Sequence, residues 1–372
     1  MRGNSRHCRD LLIIGVLLAE YAIGQSLVPT TTLTGRVVDD STGAPLFMAN
    51  VFVAGSLVGA STDTLGGFTL KLVPMGSVEI VASLVGYKPQ SISLRVISSY
   101  QSALEFRLKQ SLIQLQPVVI DASEWKTNFE KFTRLLIGYS ANAKECEIQN
   151  PGILDFTQTD EPGAVRVDFS GPLEIENKAL GYKLFYYLNE FVMHKEYVRY
   201  EGMTEYHQLK PKSADEQKEW SLKRETAYKG SLQHFLSALM AWRLEEVGVS
   251  AYMVESVCLT NLQKKAIDPE KILSSTEIPY EKRLSFDGFI EVRYARERAD
   301  PGFRKFMRLQ GASANYDALL RVQTSWIKMN KPNGIVRIDG VLADPYALIT
   351  YGYWSFERVA DMLPLDYKPV TN

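Results

Sequence analysis

Between Leu33 and Leu108 apolar and polar positions alternate with a period of two, in short runs separated by clusters of Gly, Pro and Asp. Leu33-Thr34-Gly35-Arg36-Val37-Val38 is one run and Ala49-Asn50-Val51-Phe52-Val53 is another. Further runs end at Phe68-Thr69-Leu70 and span Val78 to Tyr87. Alternation sends successive side chains to opposite faces, so each run predicts a strand with one face against a core. About seven such strands in so short a stretch predict an all-β sandwich.

Beyond this region the pattern changes. Lys109 to Ser123 carries Gln110, Gln114, Gln116 and Pro117 around Val118-Val119-Ile120, which predicts a linker over 111–123 that adds one strand to a neighbour. Trp125, Phe129, Phe132 and Leu136 then recur at helical spacing with charges opposite them, the signature of an amphipathic helix. Strand-type alternation returns from Cys146 to about Leu209, notably at Ala164–Phe169 and Gly181–Leu188. A charged stretch, Lys210 to Arg224, leads to Leu232, Phe235, Leu236 and Leu239, again at helical spacing after Gly230-Ser231. Strands recur at 250–258, 283–294 and 336–340. Residues 124–368 are therefore predicted to form a second, α+β domain in which strands dominate.

The ordered motifs of the front region resemble a known family. Gly35-x-Val37-x-Asp39 is followed by Thr42-Gly43-x-Pro45-Leu46, then Ala49-Asn50-Val51, Thr62-Asp63 with Gly66, Gly67 and Phe68, and Ser83-x-x-Gly86-Tyr87. Together they resemble the carboxypeptidase regulatory-like domain over residues 33–110. The resemblance implies a transthyretin-like (prealbumin-like) sandwich of the kind found at the front of Gram-negative envelope proteins, outer-membrane nutrient receptors among them, and implies no peptidase. Each motif residue also has a folding role: Gly43 and Gly66 permit positive φ, Asp39 and Asp63 bond turn backbone, and Phe68 fills a core. Asn150-Pro151, Pro172-Leu173, Ala179–Tyr182, Arg224–Phe235 and Gly352–Tyr367 are similar to a group of uncharacterised envelope proteins carrying the same front module, which brings no activity with it.

The amino terminus supplies the compartment. Arg2, Arg6 and Arg9 precede an apolar run from Leu11 to Ala19, and Ala22 and Gly24 follow at the spacing that signal peptidase reads, so residues 1–24 are predicted to be a secretory signal peptide. The run falls short of the ~20 apolar residues a membrane span needs, and no later stretch supplies one. Cys8 precedes the run and so cannot be a lipid-carrying cysteine. The expected location is the periplasm or the periphery of the outer membrane. Without the leader, 39 basic and 41 acidic side chains remain, a balance that gives nucleic acid no purchase. The remaining cysteines, Cys146 and Cys258, either pair in this oxidising compartment or stay as two buried thiols.

Catalytic signatures are missing. No His-x-x-Glu or His-Glu-x-x-His surrounds His194, His207 or His234, so the open zinc site of a metallopeptidase is not encoded. Gly311-Ala312-Ser313-Ala314-Asn315 lacks the last glycine of a nucleophile elbow, and no phosphate loop occurs. The acids Asp155, Asp160, Glu161, Asp168, Glu174 and Glu176 suit solvated strand faces. No metal or cofactor is implied. The candidate binding residues are Arg224, Tyr228 and His234, beside the turn at Gly230. There Arg224 offers a fork for a carboxylate and His234 a group that titrates near neutral pH. The alternative is scaffolding, with Arg224 on a buried acid or on backbone carbonyls and His234 satisfying a neighbour. The sequence thus points to a non-catalytic binding or assembly protein with an envelope protein, peptide or glycan partner. The rival is an unrecognised hydrolase of envelope polymers.

Overall fold

The alternation of the front region is realised in two facing sheets. β1 (Thr30–Asp39), β4 (Gly67–Pro74) and β7 (Leu104–Leu108) form one, in the order β4-β1-β7 with β7 parallel to β1. β2 (Asn50–Val53), β3 (Gly59–Ser61), β5 (Gly76–Ser83) and β6 (Gln90–Val96) form the other, in the order β3-β2-β5-β6. Leu33, Val37, Phe68, Leu70 and Phe106 meet Val51, Val53, Ile80 and Ala82 in the core between them. The turns follow their sequence chemistry. Asp39 Oδ1 accepts from Ser41 N and Thr42 N, each at 2.9 Å, and Asp63 Oδ1 from Leu65 N and Gly67 N, each at 2.8 Å, while Gly43 and Gly66 take φ of 70° and 74°.

This computed structural model describes residues 28–97, 103–111, 122–195, 197–257, 264–309 and 321–369. The predicted leader, the run Val118–Ile120 and Cys258, and with Cys258 the proposed disulfide, lie outside the described residues.

The second region begins with α1 (Ala122–Ile137), followed by β8 (Cys146–Ile148), β9 (Leu154–Gln158), β10 (Val165–Phe169), β11 (Leu173–Asn177), β12 (Tyr182–Met193), β13 (Val198–Gln208) and α2 (Ala214–Tyr228). β12 is the spine of a six-stranded sheet. On one side it pairs with β11 and then β10, and on the other it runs antiparallel to β13 along its length. Alternation along β12 separates two environments. Tyr182, Leu184 and Tyr186 join Phe132 and Leu136 of α1 in one core, whereas Phe185 and Tyr187 face the sandwich. α2 departs from the expectation of a charged stretch. Its inward positions are Trp220, Arg224, Ala227 and Tyr228, so a buried arginine and a small residue interrupt the apolar stripe. The legible signal was Ser213-x-x-Glu216, a capping box whose Ser213 side chain accepts from Glu216 N at 3.1 Å.

The third group of elements is α3 (Leu232–Met240), β14 (Val249–Val254), β15 (Lys265–Ala266), α4 (Pro269–Ile272), β16 (Leu273–Ser275), β17 (Glu281–Leu284), β18 (Phe289–Tyr294), α5 (Pro301–Leu309), β19 (Gln323–Met329), β20 (Gly334–Arg337), β21 (Leu348–Gly352) and α6 (Tyr353–Phe356). A five-stranded sheet, β15-β14-β18-β19-β21, packs Val249, Ile290, Val292 and Ile327 on Phe235, Leu236 and Leu239 of α3. Its opposite face, through Trp326, meets Phe303 and Phe306 of α5 and Tyr353 and Phe356 of α6. A small sheet, β16-β17-β20, flanks it.

The sandwich is docked on this body. Phe52 stacks on Tyr187 with ring centroids 5.4 Å apart, in a cluster with Val81 that Ala54, Phe185 and Met203 complete. Gly55 N donates to Thr204 O at 2.7 Å and Tyr206 N to Ser56 O at 3.3 Å, so the turn after β2 covers the free edge of β13. Ser77 N donates to the buried Glu281 carboxylate at 2.5 Å. The carboxyl-terminal tail completes the tie: Val359 and Ala360 enter the α1 core, Gln233 Nε2 donates to Leu365 O at 3.1 Å, and Leu365 N to Gly55 O at 2.7 Å.

Candidate binding site at the helix break

The site is built where α2 gives way to α3. Gly230 has φ of 81°, and a Cβ there would stand 2.7 Å from Tyr294 Cδ1, so only glycine makes this turn without strain. Ser231 caps α3, its hydroxyl accepting from His234 N at 3.1 Å. His234 Nδ1 accepts from Gly230 N at 3.0 Å, which fixes the neutral tautomer with its proton on Nε2. Trp354 Nε1 donates to Gly230 O at 2.7 Å, so the break is pinned from three directions.

The three residues singled out by sequence divide here. Tyr228 and His234 come together, with ring centroids 5.3 Å apart, and the ring of Tyr367 in the tail packs against Tyr228 at a tilt, its centroid 5.8 Å away. Arg224, 6% exposed, turns inward: Nε donates to Leu180 O at 2.7 Å, Nη2 to Gly181 O at 3.2 Å, and the guanidinium lies 4.1 Å from the Tyr182 ring centroid. Burial, with Lys229 and Arg296 adding to it, lowers His234 to about 4, so the ring is neutral at physiological pH.

Beside His234 opens a cleft of about 350 Å³ lined by Thr226, Lys229, Tyr294, Arg296 and Glu297. Tyr294 forms the wall between cleft and histidine, edge-to-face with the imidazole at 5.7 Å. Burial raises Glu297 above the usual carboxylate range, partly offset by Lys229 and by a hydrogen bond with Gln323. Gln323, cross-strand from Tyr294, is buried beneath, and its Oε1 has no hydrogen-bond partner. The lining thus offers cations, a carboxyl whose pKa burial raises and two hydroxyls, a set suited to a polar ligand. Tyr294, Arg296 and Glu297 were not legible as site residues. They stand at the end of β18 and just beyond it, and only packing against α2 brings them to Lys229.

Acidic side chains gather behind this region. Burial, with Asp361 adding to it, holds Glu357 well above the ordinary range. Burial pushes Asp361 up to about 6; bonds from Ser140 Oγ and Asn142 Nδ2, both 2.9 Å, restrain the rise and Asp300 adds to it. Asp361 Oδ2 is buried without a partner. A carboxyl whose folded pKa is raised binds its proton more tightly folded than unfolded, so stability is fullest below about pH 4 and falls as pH rises towards 6. Asp361→Asn keeps the accepting oxygen and loses the charge. The variant is expected to melt like the parent at pH 4 and to be more stable by about 2 kcal/mol at pH 8. Thermal melts across that range check it, and a constant offset at all pH values would remove the electrostatic explanation.

Burial likewise pushes the Cys146 thiol up, leaving it a poor nucleophile. Among the described residues no three His, Cys, Asp or Glu side chains are grouped to hold a metal ion. Of the acids noted on the strand faces, three are ion-pair partners: Asp168 with Arg166, Glu174 with Lys183 and Glu176 with Lys178.

The front module is thus a seven-stranded, two-sheet sandwich on a strand-dominated body, with a small polar cleft in that body. Residues 33–120 match the family model of the CarboxypepD_reg-like domain, and the module is a domain of that kind. The TonB-dependent receptor SusC of Bacteroides thetaiotaomicron is 39% identical over 82 residues, which are 22% of this chain and 8% of the receptor. A crystal structure from Bacteroides uniformis, provisionally described as a carbohydrate binding protein, is 10% identical with a TM-score of 0.18, covering 43% of this chain and 60% of that one. A DUF3823 family protein from Parabacteroides merdae is 12% identical with a TM-score of 0.17, covering 48% of this chain and 80% of that one. The assignment of the sandwich rests on the family match. No helix among the described residues is long and apolar enough to cross a membrane.

Proposed function

We propose that this is an exported binding or assembly protein of the Gram-negative envelope, held in the periplasm or at the outer-membrane periphery, whose cleft takes a polar group of an envelope peptide, glycan or protein. The observation that carries the reading is the cleft of about 350 Å³ at the helix break, walled by Tyr294 and lined by Lys229, Arg296 and Glu297. Tyr228 and His234 support that wall from behind, and Arg224 holds α2 against the Tyr182 turn, so these residues position the site without touching the ligand. The sandwich has no catalytic part. It docks on the body and braces β13. The leader-like amino terminus and the likeness of the module to part of a TonB-dependent receptor support an envelope location.

The test is calorimetric titration of the purified protein with peptidoglycan-derived peptides and with envelope glycans, beside Lys229→Ala, Arg296→Ala and Glu297→Gln. A ligand of this cleft should bind each variant at least about tenfold more weakly, as expected for loss of one charged hydrogen bond, with melting unchanged. Binding that ignores all three substitutions moves the site elsewhere. Release of a cleavage product would replace this reading with a hydrolase, for which Glu297, with its raised pKa, is the acid to test.

A further inference from the structure

Two routes lead from the docked sandwich to the start of α3, and both end on one side chain. The first runs through the tail. Gly55 takes φ of 74°, and a Cβ there would stand 2.8 Å from Leu365 Cδ1, so this turn is shaped to receive that side chain. Leu365 N donates to Gly55 O at 2.7 Å and Leu57 N to the Asp366 carboxylate at 3.1 Å. From its other side the same segment meets the helix break: Leu365 O accepts from Gln233 Nε2 at 3.1 Å, and Tyr367 packs against Tyr228. The second route runs through β17 and β20. Ser77 N donates to Glu281, and a Cβ on Gly76 would stand 2.7 Å from Glu281 Oε1 and 3.4 Å from Arg337 Cδ. The buried Arg337 holds Asp339 through Nε at 2.8 Å and Nη2 at 2.9 Å. Asp339 O also accepts from Gln233 Nε2, at 3.3 Å, so both N–H groups of that amide are in use. Gln233 lies in the first turn of α3 beside His234, whose ring backs the cleft wall, Tyr294.

We propose that the sandwich regulates the cleft, with Gln233 as the positioning residue that joins them. Docked, the sandwich holds the tail and the turn after β20 against Gln233, which fixes the helix break and the stack of Tyr228, His234 and Tyr294. Undocked, it releases both carbonyls from the amide, and the wall loosens. The elements suit such a device. One aromatic stack and a few backbone bonds join the two parts, a contact of the kind that lets domains move. Leu365, Asp366 and Tyr367 are only half-buried and are held largely through backbone groups, which places them at the low end of local stability. Coupling is reciprocal, so a group bound in the cleft favours the docked sandwich. The regulatory meaning rests on the cleft being a binding site. The coupling itself does not, and it is read without any ligand, so failure of one is distinct from failure of the other.

The experiment is amide hydrogen exchange, read by mass spectrometry on the purified full-length protein. Phe52→Ala and Gly76→Ala undock the sandwich at two different contacts. Gln233→Ala combined with Tyr367→Ala cuts the junction and leaves the Ser231 cap in place. Residues 203–208 report docking, because Tyr206 N donates to Ser56 O. Residues 229–235 report the helix break, and α5 is the control. Each undocking variant should speed exchange at 203–208 at least about tenfold and at 229–235 at least about fivefold, with α5 unchanged. In the junction variant 229–235 should already be fast, and adding Phe52→Ala should speed it no further. Fast exchange at 203–208 with 229–235 as slow as in the parent overturns the proposal. So does a full added increment in the junction background, or an equal rise in α5, which marks general loosening. Two undocking variants that both leave 203–208 protected overturn it as well, since the sandwich would then be fixed to the body.

Discussion

Arg224→Ala should destabilise the protein by about 3–5 kcal/mol, because truncation strands two buried carbonyls and removes a cation from an aromatic face at once. Leu180 O and Gly181 O accept from Nε and Nη2, and the guanidinium covers the Tyr182 ring. That turn feeds directly into β12, the spine of the sheet, so the damage spreads through the α1 core. Arg224→Lys should recover only a minor part, since an ammonium cannot span two carbonyls with the planar fork of arginine. Denaturant melts of the three proteins decide the matter. An Arg224→Ala protein as stable as the parent, yet unable to bind, would make the guanidinium a ligand contact and return Arg224 to the role the sequence first suggested.

Phe52→Ala should separate the sandwich from the body thermodynamically. Phe52 is 1% exposed, yet it lies on the outer face of its sheet, away from the module's own core, and its ring rests on Tyr187. Truncating a buried phenylalanine costs about 3–5 kcal/mol, and here the loss falls on the contact between the two parts. Calorimetry of the parent should give one cooperative transition and that of the variant two, with the sandwich melting first. Val51→Ala is the control. Its side chain points into the inner core, so it should lower the melting of the sandwich itself. One transition at an unchanged temperature in Phe52→Ala would mean that docking adds no stability.

What the chain alone determined is local. Asp39, Gly43, Asp63 and Gly66 dictate their turns because a short carboxylate and a residue free of Cβ act within a few positions of themselves. The period of two between them then commits each strand to two faces. Ser231 after Gly230 starts α3 for the same reason, its hydroxyl accepting from His234 N three residues on. The module was recognisable because such local rules follow one another in a fixed order. Tertiary structure decided everything that depends on which face meets what. The alternation at Asn50–Val53 says that Val51 and Phe52 point apart, but not that both are buried, because the second burial comes from β12 and β13 of another part of the chain. α2 was hidden because its inward face includes Arg224, which becomes an inner residue only once the carbonyls of Leu180 and Gly181 are there to receive it. The cleft is the furthest from sequence. Lys229 on one side and Tyr294, Arg296 and Glu297 on the other belong to separate elements, and the side chains acquire a common function only when α2 and β18 pack together.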